Sequence, residues 1–280
     1  MEILLTQIGN GLIIGSVYAL VSLGLNVIWS ITDVPDFSQG SIFVVTAYIC
    51  YFAVTLAGLP YVLALILGMA IGAFLAFTFE RYLYRRWRGA GRVQLLCAIA
   101  LFFLLSNVVN AIWTSKAKMF PGYLKGGIAG FSYERIVVLL VAIFLFVLVY
   151  IFIMRTKMGK AIRAASQDSE MAQVLGIKID TVNSVVFMLG GALSGAAAVL
   201  FSPLYALFPT MGDLPLLKAL VVVILGGFGT VGGVLICGLG LGVLEALGAV
   251  YVSSAYQHGY AFLILILVLS FLPRGLFGRM

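Results

Sequence analysis

Apolar runs of about 20 residues, separated by short polar breaks, leave this chain little choice of fold. In lipid no water is available to satisfy free backbone N–H and C=O groups, so each run has to close its hydrogen bonds within a helix. Hydrophobic residues make up 63% of the chain and charged residues 10%, which places it among polytopic membrane proteins. Its 280 residues allow eight or nine such spans with short connections, at about 20 residues each. The expected fold is an all-α polytopic membrane protein with glycine-broken segments, in which residues 1–280 form a single transmembrane domain.

The spans read at 9–29, a second ending near 57, then 59–82, 93–113, 134–154 and 182–203. An apolar but short stretch at 214–225 follows, then a run to about 252 and a last span ending at 272. Small residues four apart, Gly11 with Gly15, Gly68 with Gly72 and Gly191 with Gly195, mark faces where helices can approach closely. Trp29, Trp87 and Trp113 fall near span ends, where interfacial anchors belong. Five arginines between Glu80 and Arg92 fix that segment as cytoplasmic. Alternation then puts 157–180 and the C-terminal PRGLFGRM inside as well. With Arg155 counted, the three inside segments hold 12 of the 17 basic residues. The net charge of +7 therefore reflects topology and not a nucleic-acid partner. The N-terminus falls outside if 30–40 crosses to the cytoplasmic face. A mid-membrane break there would lower the count to eight and move the N-terminus inside.

The longest polar interruption, KMGKAIRAASQDSEMAQVLGIKID at 157–180, has the marks of ordered structure. Ala161, Ile162, Ala164 and Ala165 favour helix, and Ser166 to Ser169 breaks it. Asp168 is suited to cap a second short helix with Glu170 in its first turn. Met171, Val174 and Leu175 fall at i, i+3, i+4 and form one apolar knob, and Gly176 stands where a left-handed residue ends a helix. Such a knob either folds back on its own bundle or inserts into a groove on another protein.

Other features carry less chemistry. Cys50, Cys97 and Cys237 lie singly in apolar runs and read as packing. His258, the only histidine, sits in a polar turn beside Tyr256 and Gln257. Neither a metal site nor a serine–histidine–acid constellation is expected. Gly227 to Gly232 satisfies G-x-G-x-x-G, but between two membrane spans it reads as a tight glycine turn and not a nucleotide site. No P-loop occurs, so any ATPase is a separate chain.

The segment GKAIRAASQDSEMAQVLGI resembles the cytoplasmic coupling segment of permease subunits from branched-chain amino acid ABC importers. The family's R-A-x-x-x-D stretch and L-G-I stand here as Arg163, Ala164, Asp168, Leu175, Gly176 and Ile177. The broader importer signature is not met, because Arg163 replaces its acid and Ser169 its glycine. LGGFGTVGG resembles the family's L-G-G-x-G-[ST]-x-x-G segment beside the translocation pathway. Pro35 to Gly40 resembles its N-F-A-H-G segment, with Asp36 and Gln39 where Asn and His are usual. NGLIIGSVYAL and LILVLSFLPRGLFG extend the resemblance over most of the chain, which looks like the shorter of two such permease subunits.

The resemblance implies a coupling role for Gly159, Arg163, Ala164, Asp168, Met171, Val174, Leu175 and Gly176. It also implies a translocation path past Asp36, Phe37, Ser38, Gln39 and Gly40, and past Gly226, Gly227, Gly229, Gly232 and Gly233. For the first of these segments a solvated cytoplasmic turn is the other reading. Gly229 and Gly232 are expected to be needed for backbone shape or close packing, more so than Gly248. The implied partners are a second, non-identical permease, two cytoplasmic ATPases that hold ATP and magnesium, an external binding protein and the lipid of a bacterial inner membrane. The chain itself would catalyse no reaction. A secondary transporter or channel working alone, and a membrane enzyme, are the rival classes. Lys218 and Glu245 flank the glycine turn in apolar helices, about 12 and 18 Å from it. They are expected either to pair, or to reach the outer surface and a wet pathway respectively.

Overall fold

A computed structural model describes residues 2–120, 127–128, 131–272 and 275–277. Pro273, Arg274 and 278–280 of the basic C-terminal segment, and 121–126 and 129–130 of the outer loop, lie outside the described residues. Eleven α-helices follow one another among the described residues: α1 Glu2–Thr32, α2 Ser38–Ala57, α3 Tyr61–Tyr82, α4 Gly91–Trp113, α5 Tyr133–Arg155, α6 Lys157–Gln167, α7 Ser169–Val174, α8 Ile179–Phe201, α9 Asp213–Gly226, α10 Val231–Tyr251 and α11 Gln257–Phe271. A ribbon pairing Gly127–Ile128 with Phe131–Ser132 precedes α5. Eight helices are long and apolar enough to cross a membrane, which makes this a multi-pass membrane protein. Two apolar helices are short: the 14 residues of α9 rise about 21 Å and the 15 of α11 about 22 Å against a hydrocarbon core of about 30 Å, and the turn Ser254–Tyr256 extends α11 to an apolar segment of 18 residues. Irregular chain at 202–212 leads into α9.

Two helices form the centre. Within their most apolar windows, α1 is 89% buried and α8 72%, whereas α4 and α11 are 11% and 6% buried. The glycine faces explain how the central helices recruit their neighbours. A Cβ on Gly72 or Gly191 would run into the other's carbonyl, and one on Gly195 into that of Gly68. Gly11 and Gly15 of α1 meet Gly242 and Gly238 of α10 in the same way. Without side chains between them the backbones touch, and dispersion contacts take over the role that water expulsion plays in soluble cores. Outward-facing Phe74, Leu140 and Ile266 are exposed, as lipid-facing residues are.

The helix directions separate two ends. At one, Arg135 Nη1 of α5 donates to Asn10 Oδ1 of α1 (2.6 Å), and Lys118 and Leu207 exchange backbone hydrogen bonds. At the other lie α6, α7 and the arginine-rich turn after α3. The start of α1 lies at the end opposite the arginine-rich turn.

The 30–40 stretch is less of an interruption than its composition suggests. Only 33–37 leaves the helices, because Thr32 Oγ1 bonds the carbonyls of Ile28 and Val34 and carries α1 to its end. Likewise the Ser166–Ser169 break shrinks to the single residue Asp168.

Candidate functional site

The cytoplasmic end is built from local chemistry. Thr156 Oγ1 accepts from Gly159 N (2.9 Å) and caps α6. A Cβ on Gly159 would strike the carbonyls of Phe152 and Ile153, so glycine there lets α6 fold tightly under α5. Gly159 is buried, and its part is to set this corner; it cannot touch a partner. Arg163, half-buried, directs Nη1 to Met154 Sδ (2.8 Å), with Ala164 half-buried beside it.

Asp168 Oδ1 accepts from Met171 N (2.9 Å) and starts α7. Ile177 N bonds Ala172 O and Gly176 N bonds Gln173 O, a Schellman closure with Gly176 at φ +84°. Ala172 faces inward. Met171, Val174 and Leu175 face out and are 56%, 81% and 74% exposed. A capped helix with its apolar side uncovered thus stands at the basic end.

Behind α6 a cavity of about 850 Å³ opens between Trp29 and Asp33 of the α1 end, Arg163, and the glycine turn at Phe228 and Gly232. Gly227 and Gly229 have φ of +82° and +74°, which L side chains rarely adopt. Gly229 N donates to Asn26 Oδ1 (3.0 Å), which ties the turn to α1. Gly226 and Gly233 meet backbone to backbone.

The expectation for Gly232 is corrected. A Cβ there meets nothing within 4 Å, because Gly232 lies on the open wall of the cavity, whereas one on Gly248 would meet the Tyr260 ring at 2.6 Å.

The 35–40 segment fits neither reading whole. Asp33 is exposed, but Asp36, Ser38, Gln39 and Gly40 are buried. Asp36 Oδ1 accepts from Tyr84 OH (2.8 Å) and from Ser38 N (3.0 Å), so it joins the start of α2 to the turn Tyr84–Trp87 after α3. The space beside it, about 10 Å³ between Tyr84, Gln94 and Phe187, is scarcely a water's width. Phe37 is half-buried against the core. None of residues 35–40 lines the cavity at the glycine turn.

The structure does bring Lys218 and Glu245 together. Lys218 Nζ donates to Glu245 Oε2 (2.7 Å) and to Tyr18 OH (2.8 Å), and both charged side chains are 2% exposed. One cluster thereby ties α1, α9 and α10.

Sequence reasoning missed Tyr18, and it missed a second ionic group. Glu80, buried at the end of α3, accepts from Ser184 Oγ (2.7 Å) and pairs with Arg88; Asp180 pairs with Arg85 and Arg88. This group fastens the arginine turn to α8. The signal was an acid embedded in an apolar helix end beside five arginines.

A family profile described as the permease component of branched-chain amino acid transport systems matches residues 7–270. BraD of Pseudomonas aeruginosa, a high-affinity branched-chain amino acid transport system permease protein, is 34% identical, with 98% of this chain and 96% of BraD aligned. LivH of Escherichia coli, of the same description, is 31% identical over the same shares. A probable branched-chain amino acid transport permease protein of Methanocaldococcus jannaschii is 26% identical over 99% and 96%. A profile covering nearly the whole chain and near-full-length relatives above 30% identity lead to one conclusion: this protein belongs to the branched-chain amino acid transport permease family.

Proposed function

We propose that this chain is the transmembrane permease subunit of an ATP-driven ABC importer for branched-chain or related amino acids in a bacterial inner membrane. It works with a second, non-identical permease, two cytoplasmic ATPases that bind ATP and magnesium, and an external binding protein. The observation that carries this reading is α7, a helix capped at both ends whose apolar face is bare at the basic end of a membrane bundle. Ordering a short helix costs conformational entropy, and caps reduce that cost whether or not a partner is present. Leaving Val174 and Leu175 in water instead of in a groove forgoes about 1.5–3 kcal/mol each. That is reason to read the face as a seat on the ATPase.

In this reading, closure of the ATPases on ATP moves α7 and α6 as one piece. Arg163 and Gln167 of α6 share a cavity with Trp29 of α1 and with the glycine turn. Displacement of α6 therefore bears directly on the inner ends of α1, α9 and α10. The chain contributes motion and a path, and the chemistry of ATP stays with the partner.

Leu175→Asp tests the seat. A carboxylate carried into an apolar groove without a partner costs several kcal/mol, so affinity for the ATPase is expected to fall at least about a hundredfold. Co-purification from detergent should drop to background while the permease keeps its melting temperature. Undiminished co-purification would remove α7 from the interface.

A further inference from the structure

The outer half of α4 carries a polar stripe that the features above leave unused. Phe103, Ser106, Asn107 and Asn110 are spaced three, four and seven apart along one side of the helix. Opposite them lie Thr210, just before α9, and Asp213, the first residue of α9. The two sides enclose a groove of about 360 Å³. Helix α4 is among the least buried spans, so amides and hydroxyls along it face hydrocarbon unless the groove is wet or filled.

The hydrogen bonding is incomplete in one consistent sense. Asn107 Nδ2 donates to Phe103 O, and Asn110 Oδ1 accepts from Ser115 Oγ. Ser106 and Asp213 are half-buried in the groove wall, and Ser106 Oγ and Asp213 Oδ1 have no hydrogen-bond partner among the described residues. Just behind them, Phe102 and Leu216 close on Gly40, and Gly212 meets Gly40 backbone to backbone. Both unpartnered atoms are oxygens, and that of Asp213, as a carboxylate, only accepts. Buried polar atoms are nearly always bonded, so an unmet carboxylate oxygen beside an unmet hydroxyl leaves room for a donor that comes and goes. Asp213 is the one charged group lining the groove, and its sign fits a cation.

We propose that this groove is an outer subsite of the translocation path, where Asp213 receives the ammonium group of an amino acid with Ser106 and Asn107 beside it. This rests on the reading of the chain as an amino acid permease. A lipid chain or the second permease would ask for an apolar or fully paired surface instead.

The test uses Ser106→Cys in the assembled transporter in lipid nanodiscs, with labelling measured over the parent chain's own cysteines. A charged, water-soluble thiosulfonate should label it. With 3-methylbutylamine, the amine half of leucine, labelling should slow about tenfold, the scale of a charged hydrogen bond. The carboxylate half, 4-methylpentanoate, should leave the rate unchanged. Asp213→Asn, in an assembly shown to retain its partner subunits, should cancel the amine's protection. Labelling only by a lipid-soluble maleimide, by neither reagent, or without selective protection by the amine would each overturn the subsite. Leucine uptake by the unmodified transporter is read alongside. If there is uptake but no amine protection, the subsite alone fails; if there is no uptake, the permease reading fails.

Discussion

Reversing one charge of the buried pair, by Lys218→Glu or Glu245→Lys, is expected to prevent the permease from accumulating in a folded form. The native ammonium lies 2.7 Å from a carboxylate and 2.8 Å from the Tyr18 hydroxyl, with both charged side chains 2% exposed. Removing one partner from such a pair costs about 3–5 kcal/mol, and a like charge in its place costs more. That is comparable to the whole stability of many domains, at about 5–15 kcal/mol. The double reversal should recover part of the loss, because Tyr18 can donate to a carboxylate at 218 as readily as it accepts from an ammonium. Full recovery is not expected, since the exchanged side chains differ in reach. The informative control is Lys218→Met with Glu245→Met. Replacing both charges by apolar groups of similar volume is often neutral for stability. A folded double-methionine protein that no longer transports would assign the pair to motion among α1, α9 and α10. One that transports normally would assign it to register alone. Detergent melting curves with uptake assays separate these results, and a double reversal no better than the sum of the single changes would deny the coupling.

Gly191→Val is expected to be nearly as damaging, for a different reason. The Cβ alone would come within van der Waals overlap of the Gly72 carbonyl oxygen, so the backbones of α3 and α8 have to move apart at that point. Overpacking a well-packed core costs about 1–3 kcal/mol where side chains can yield. Here the obstacle is backbone, so the cost lies at or beyond the upper end of that range. Gly232→Ala, which meets nothing within 4 Å, should leave folded yield unchanged. Size-exclusion profiles of the two variants give the comparison directly, and equal behaviour would show that the α3–α8 contact is not a constraint on the fold.

What could be read in advance follows how local the governing physics is. Span positions were legible because the bilayer forces every apolar run into a helix. The caps of α7 were legible because Asp168, Met171 and Gly176 act within a few residues of one another. Which glycines matter was only half legible. Gly232 and Gly233 are adjacent and alike in sequence, yet one borders open space and the other the carbonyl of Gly226. The partners of Lys218 and Glu80 depend on folding. Tyr18 is 200 positions from Lys218 and Ser184 is 104 from Glu80, separations for which a single sequence carries no pattern. The groove at Asp213 was hidden for the same reason, since Asn107 of α4 and Asp213 of α9 stand 106 positions apart (213 − 107). The 33–37 break misled by composition: two aspartates suggest solvent, but Asp36 is held inside by Tyr84.

The most direct test of the central claim is leucine uptake into proteoliposomes that contain this chain with its partner permease and ATPases. The predicted result is uptake that requires ATP in the ATPase compartment and binding protein on the opposite side, and that Leu175→Asp eliminates. Uptake by this chain alone, driven by an ion gradient and indifferent to ATP, would contradict the account.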